Sequence, residues 1–201
     1  MLESLVSALQ TTSTLEWVSV VFGLIYVILA ARENIWCWPA AFIGTATAVV
    51  LLWNVSLLMD SALNVYYLAM AVFGWWQWRR GGSNNAELSI QSWRPSQHLI
   101  TLMVIAILTV VSGSVLKSYT QAAFPFIDSF TTWAAVITTW MVTQKILENW
   151  LYWVVIDIIS LGLYLQKGLT LYALLFMLYT IIAVVGYINW LSKFRHAEQS
   201  A

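Results

Sequence analysis

The chain has 201 residues, a formal net charge of zero, 61% hydrophobic residues and only 9% charged ones. That balance excludes an ordinary water-soluble domain, and with no surplus of either sign neither a nucleic-acid partner nor an acidic-ligand surface is expected. The single cysteine, Cys37, excludes an intramolecular disulfide.

Residues 1–14 read as an N-terminal segment. Their first 13 residues contain Glu3 and no Lys or Arg, so the basic start of a cleavable signal peptide is missing, and a short surface helix would fit. A membrane span needs about 20 mostly apolar residues. Seven are predicted, at residues 15–31, 36–53, 57–78, 98–117, 129–146, 149–166 and 169–191. Two longer connections, Gly81–Ser96 with Pro95 and Ser118–Asp128 with Pro125, flank the fourth span. The expected fold class is therefore an all-α integral membrane protein with a 3+1+3 plan. It has a first three-helix bundle (15–80), a linker with the fourth helix (81–128), a second three-helix bundle (129–192) and a cytoplasmic tail (193–201).

A signature occurs twice. Tyr67, Gly74 and Trp78 recur as Tyr179, Gly186 and Trp190, each 112 residues on. Glu16 with Asp128, Trp38 with Trp150, Leu57 with Leu169 and Leu63 with Leu175 keep the same offset. Internal duplication is a common way to build a transporter. Three spans reverse the side of the membrane and the extra span restores it, so the two copies should run parallel about an axis along the membrane normal.

Basic residues set the orientation. Arg32, Arg79, Arg80, Arg94, Lys145, Lys193 and Arg195 fall on one side, and only Lys117 and Lys167 on the other. The N-terminus is expected outside and the C-terminus in the cytoplasm.

Asp157, near the middle of the sixth span, is the outstanding polar residue. A carboxylate at that depth costs about 2.5–3.5 kcal/mol to insert and usually faces a cavity, a partner or an ion. At helical spacing Trp150, Trp153, Asp157, Ser160 and Tyr164 share a stripe about 80° wide. Aromatic rings around a carboxylate suit a flat organic cation; the plainer alternative is a buried hydrogen bond to another helix. The third span carries Asn64, Tyr67, Ala71, Gly74 and Trp78 on one face, and the seventh carries Phe176, Tyr179, Ala183, Gly186 and Trp190. The Ala and Gly members suit close helix packing. Asn64 can donate and accept, either to a ligand or as glue between helices. Its mate, Phe176, cannot, so the halves are chemically unequal. On the fifth span Trp133, Ile137, Trp140 and Gln144 share a face, with Trp140 deep enough to stack on a ligand. Trp17, Trp36, Trp53, Trp76 and Trp93 lie near span ends and read as interfacial anchors.

Enzyme readings are weak. His98 and His196 lie near the water interface, far apart in sequence, so no metal site or triad is visible, and there is no phosphate-binding glycine loop. The seventh span lacks the lysine a retinal protein needs. No cofactor is expected.

Three segments resemble one family: W-C-W-P (Trp36 to Pro39), N-V-Y-Y-x6-G-W-W-Q-W (Asn64 to Trp78) and T-Q-K-I-L-E-N-W-L-Y-W-V-V-I-D (Thr143 to Asp157). They are similar to the Pnu family of bacterial vitamin transporters, over nearly the whole chain. One branch, PnuC, takes up nicotinamide riboside; another, PnuT, takes up thiamine. The resemblance implies a SWEET-like fold and facilitated diffusion across the bacterial inner membrane without ATP or a coupling ion. It also implies a homotrimer and a cytoplasmic kinase that traps the substrate. Family binding positions carry over to Asn64, Tyr67, Trp140, Gln144 and Asp157. With the aromatic stripes, the expected substrate site comprises Asn64, Tyr67, Trp140, Gln144, Trp153, Asp157, Tyr164 and Tyr179. Nicotinamide riboside and thiamine are both flat monocations, and both fit. A non-transporting receptor is the alternative of a different class; the short loops leave it little surface for signalling.

Overall fold

The computed structural model describes residues 13–54, 58–83, 86–121, 123–166, 168 and 170–200; the surface helix expected near the N-terminus lies outside them. Among the described residues the chain forms seven helices. These are α1 (Thr14–Ala31), α2 (Cys37–Asn54), α3 (Leu58–Arg80), α4 (Pro95–Tyr119), α5 (Pro125–Thr143), α6 (Asn149–Gln166) and α7 (Thr170–Ser200). A helix satisfies every backbone polar group internally, which a hydrocarbon environment demands. By length and apolarity alone, Thr14–Ala31, Cys37–Asn54, Pro95–Tyr119 and Tyr172–Gln199 could each cross a bilayer. The other three helices, α3, α5 and α6, are diluted by polar residues such as Asn64, five threonines of α5 and Asp157, and these helices carry most of the candidate site.

Helix ends follow local chemistry. Ser13 caps α1, its hydroxyl accepting the Glu16 N–H at 3.2 Å. Pro95 and Pro125, which read as loop signals, occupy the first helical positions of α4 and α5, where the missing N–H costs nothing. Hence α4 and α5 each start a few residues earlier than expected. No breaker follows Trp190, so α7 runs on through the expected tail to Ser200.

The chain divides into two compact units, residues 1–88 and 89–201. In the first, α2 packs against both α1 and α3; in the second, α6 packs against both α5 and α7, and α4 packs along α5. The fourth helix thus belongs with the second unit.

The 112-residue duplication extends to the backbone hydrogen bonds. The turn from α1 to α2 has Glu33 in the left-handed region at φ 59°, and the turn from α5 to α6 has Lys145 there at φ 51°. Glu33 N–H donates to Ala30, Asn34 to Leu29 and Cys37 to Asn34; Lys145 donates to Val142, Ile146 to Met141 and Asn149 to Ile146. Each of these three bonds of the first turn has its counterpart at the repeat offset. A left-handed non-glycine residue costs roughly 1–2 kcal/mol, so its recurrence marks a turn whose shape both copies require.

Each unit is locked by the same aromatic joint. Trp38 lies edge-on to Trp78 (centroids 5.3 Å, 86°) and Trp150 edge-on to Trp190 (5.6 Å, 83°). All four indoles are at most 2% exposed. The glycine between each pair makes room. A Cβ on Gly74 would stand 2.5 Å from Trp38 Cε2 and closer to two other ring atoms; one on Gly186 would stand 2.8 Å from Trp150 Cδ2. The small residues of the two signatures therefore admit an indole, the close packing that membrane helices favour.

Candidate substrate-binding site

In the second unit the α6 stripe turns inward as its spacing predicts. Asp157 is 4% exposed and Ser160 5%. Asp157 lies about 12 Å along α6 from its start. Among the described residues its carboxylate accepts no hydrogen bond, so the bond to another helix that would have explained it plainly is absent there. Tyr179 on α7 lies within electrostatic reach of it. A buried acid without a partner is expensive, and Tyr179 begins an aromatic array. Tyr179 is edge-on to Phe176 (5.9 Å, 88°). Phe176 stacks on Tyr164 (5.2 Å, 16°), and Tyr164 stacks on Tyr172 (5.2 Å, 19°). Tyr172, Phe176 and Tyr179 stand at i, i+4 and i+7, one face of α7. The sequence points to Tyr164 and Tyr179 as site residues and places Phe176 on the Tyr179 face without giving it a role; it misses Tyr172, one turn before Phe176 on that face, which the same spacing could have found.

In the first unit Asn64 and Tyr67 are both half-buried on α3. The Asn64 Nδ2 donates to the Asp60 carbonyl of its own helix at 2.9 Å, so this bond does not join helices, and its amide oxygen takes no hydrogen bond among the described residues. Tyr67 is edge-on to Tyr66 (5.5 Å, 60°).

The remaining candidates lie elsewhere. Trp140 stands within the last turn of α5, is 42% exposed, and packs on Trp93 (5.9 Å); this is an end position, less deep than the sequence suggests. Gln144 caps α5, its side chain donating to Thr143 Oγ1 at 3.3 Å. Trp153 packs against the cluster of Ile105, Ala134 and Ile156. The structure thus brings together Asp157, Tyr164 and Tyr179, and keeps Trp140 and Gln144 with the α5–α6 turn.

That turn carries a polar cluster that sequence reading misses, because its members are 54–56 residues apart. Glu148 accepts from the Ser92 hydroxyl and from the Trp93 N–H at 3.2 Å, and its Oε2 lies 3.8 Å from His98 Nε2. His98 Nδ1 is 3.0 Å from the Tyr152 hydroxyl, and Trp93 packs on His98 (5.5 Å). Gln91 adds a parallel backbone bridge to Ile146. Trp93 is therefore a packed member of this cluster, whereas Trp36, Trp53 and Trp76 are exposed as anchors should be. Beside the cluster an almost wholly apolar groove runs between α4 and α6 over Phe130 and Ala134.

Apolar helices, a unit carried twice, and a buried carboxylate under stacked rings define a multi-pass membrane transporter of small molecules. The chain belongs to the nicotinamide mononucleotide transporter family, whose model matches residues 13–192. It is 27% identical to the nicotinamide riboside transporter PnuC of Escherichia coli (strain K12), over 94% of this chain and 90% of that one. It is 21% identical to the riboflavin/roseoflavin transporter RibM of Streptomyces davaonensis, over 85% of this chain and 81% of that one. The crystal structure of the vitamin B3 transporter PnuC shares its fold, with a TM-score of 0.73 at 21% identity, covering 97% of this chain and 88% of that one. Family membership decides for transport over the receptor and enzyme readings.

Proposed function

We propose that this protein carries nicotinamide riboside into the cell across the bacterial inner membrane by facilitated diffusion. One observation carries the reading: the Asp157 carboxyl is buried, accepts no hydrogen bond among the described residues, and lies within electrostatic reach of Tyr179, the end of a run of packed aromatic rings. A planar monocation supplies what that arrangement lacks, charge balance from one part and ring stacking from another. The chain-length match to PnuC of Escherichia coli favours nicotinamide riboside, whose pyridinium is such a cation. Riboflavin, the substrate for which RibM is named, is neutral and would leave the carboxylate unbalanced.

In this reading Asp157 offsets the charge and Tyr179 holds the ring, with Tyr164 occupying the stack before the substrate arrives. Asn64 and Tyr67 are the candidate polar and aromatic contacts of the first unit, taken by itself. Trp140 and Gln144 serve the cytoplasmic end, and Trp153 holds α6 in place through its packing. The two repeats are the bodies that move during transport. The N-terminus lies outside, the protein works as a homotrimer, and a cytoplasmic kinase traps the product. Nothing in the site calls for an ion gradient.

Uptake into proteoliposomes tests the proposal, with labelled nicotinamide riboside, thiamine and riboflavin compared side by side and no ion gradient imposed. Saturable equilibration of nicotinamide riboside alone supports it. Equilibration of thiamine alone would keep the cation mechanism and change the vitamin. Equilibration of riboflavin alone would remove the role given to Asp157.

A further inference from the structure

The array on α6 and α7 extends beyond the residues that hold a cation at Asp157. Tyr164 lies 5.2 Å from Phe176 and 5.2 Å from Tyr172, tilted only 16° and 19° from parallel to them. Phe176 and Tyr172 are one helical turn apart on the same face of α7. The ladder starts at Tyr172, which is 46% exposed, beside the turn between α6 and α7. It descends through Phe176 to Tyr179 and the carboxylate. In the orientation expected from the basic residues, this turn faces the outer side of the membrane. Stacked rings with one exposed end and one charged end form a graded path for a flat cation, since each ring face attracts it and the acid attracts it most.

We propose that Tyr172 and Phe176 are specificity-determining residues of transport, two rungs on which the substrate's cationic ring stacks on its way to Asp157, with the Tyr164 phenol filling the slot until the substrate displaces it. The exchange replaces one flat six-membered ring by another, so the departing and the arriving ring stack alike, and the positive charge adds the net attraction. Tyr172 meets the ring first and sets the rate of entry. Phe176 lies one turn deeper, next to Tyr179, and sets affinity. Phe176 also stands where the first repeat has Asn64, so this half reads the planar ring. All of this rests on the proposed transport of an aromatic cation.

The test compares nicotinamide riboside with its uncharged dihydro form in reconstituted protein. Equilibrium binding is read by titration calorimetry, and initial uptake by filtration. For Phe176→Leu, affinity for nicotinamide riboside falls about tenfold, affinity for the neutral form changes less than about threefold, and Phe176→Tyr restores the wild-type preference. For Tyr172→Leu, initial uptake falls severalfold with equilibrium affinity unchanged. Unaltered affinity, preference and uptake in both leucine variants would overturn the proposal. So would equal losses for the charged and neutral forms, which would mean a merely structural role. Should Phe176→Leu fail to fold, the exposed Tyr172 and the conservative Phe176→Tyr still decide, since a ladder requires slowed entry in the first and retained preference in the second. Failure of wild-type protein to bind or carry nicotinamide riboside would sink the functional reading instead, and the same variants would then be read with thiamine.

Discussion

Replacing Gly74 by alanine tests the joint that locks the first unit. The new Cβ would stand 2.5 Å from Trp38 Cε2, nearer than real Cβ contacts come, and two further ring atoms lie closer. The indole has nowhere to retreat, being 2% exposed with Trp78 edge-on at 5.3 Å and Tyr26 at 6.0 Å. Overpacking of this kind costs about 2–3 kcal/mol. Alanine returns up to about 1 kcal/mol through its better helix propensity. The net loss is about 1–2 kcal/mol, or a fall in unfolding temperature of about 2–8 °C at roughly 2–4 °C per kcal/mol. The chain supplies its own reporter. Cys37 is the sole cysteine, is 0% exposed and precedes Trp38, so a thiol-reactive dye lights up when this unit opens. Gly186→Ala, with its nearest contact at 2.8 Å, should lose less. Gly162→Ala, with nothing within 4 Å, should lose nothing and gain slightly. Unfolding temperatures that fail to rank in that order, above all an unchanged Gly74→Ala, would refute the argument that glycine is there to admit the indole.

Other outcomes follow from the same contacts. Asp157→Asn should weaken nicotinamide riboside binding by about tenfold or more in calorimetry while raising the unfolding temperature slightly, because an unpaired buried acid is removed. Glu148→Ala strips the acceptor from Ser92 and the Trp93 N–H. It should cost about 1–3 kcal/mol and speed proteolysis between residues 86 and 94, with substrate affinity unchanged. Trp140→Phe should leave affinity for the cation within about twofold, since this ring packs on Trp93 near the end of α5; a tenfold loss would return Trp140 to the binding site.

The number of helices, their order and the duplication were legible because each rests on local pattern: apolar runs of span length, and a signature at a fixed offset. Asp157 was legible because a mid-span carboxylate stands out against any apolar background. The depth of Trp140 was not. It depended on where α5 ends, and that is set by Pro125 at its start and the left-handed Lys145 after its end, neither of which hydropathy registers. The Glu148 cluster was hidden for a different reason. Ser92, Trp93 and His98 meet Glu148 and Tyr152 only once α4 has packed along α5, and no sequence periodicity spans that separation. Phe176 was visible as the mate of Asn64, but its stacking on Tyr164 depends on how α6 and α7 face each other.

Behind their matched turns, the two copies carry different side chains at the station of Asp157. The position equivalent to Asp157 in the first copy is Thr45, whose hydroxyl donates to the Ala41 carbonyl of its own helix at 2.7 Å. A threonine can thus settle its polarity within one turn, without help from outside. A carboxylate has no proton to give and cannot repeat that bond. Set at the same station on the same backbone, it turns a self-sufficient helix into one that must seek a donor or a cation elsewhere. At this station the halves thus differ in whether the side chain can donate or, as a carboxylate, only accept.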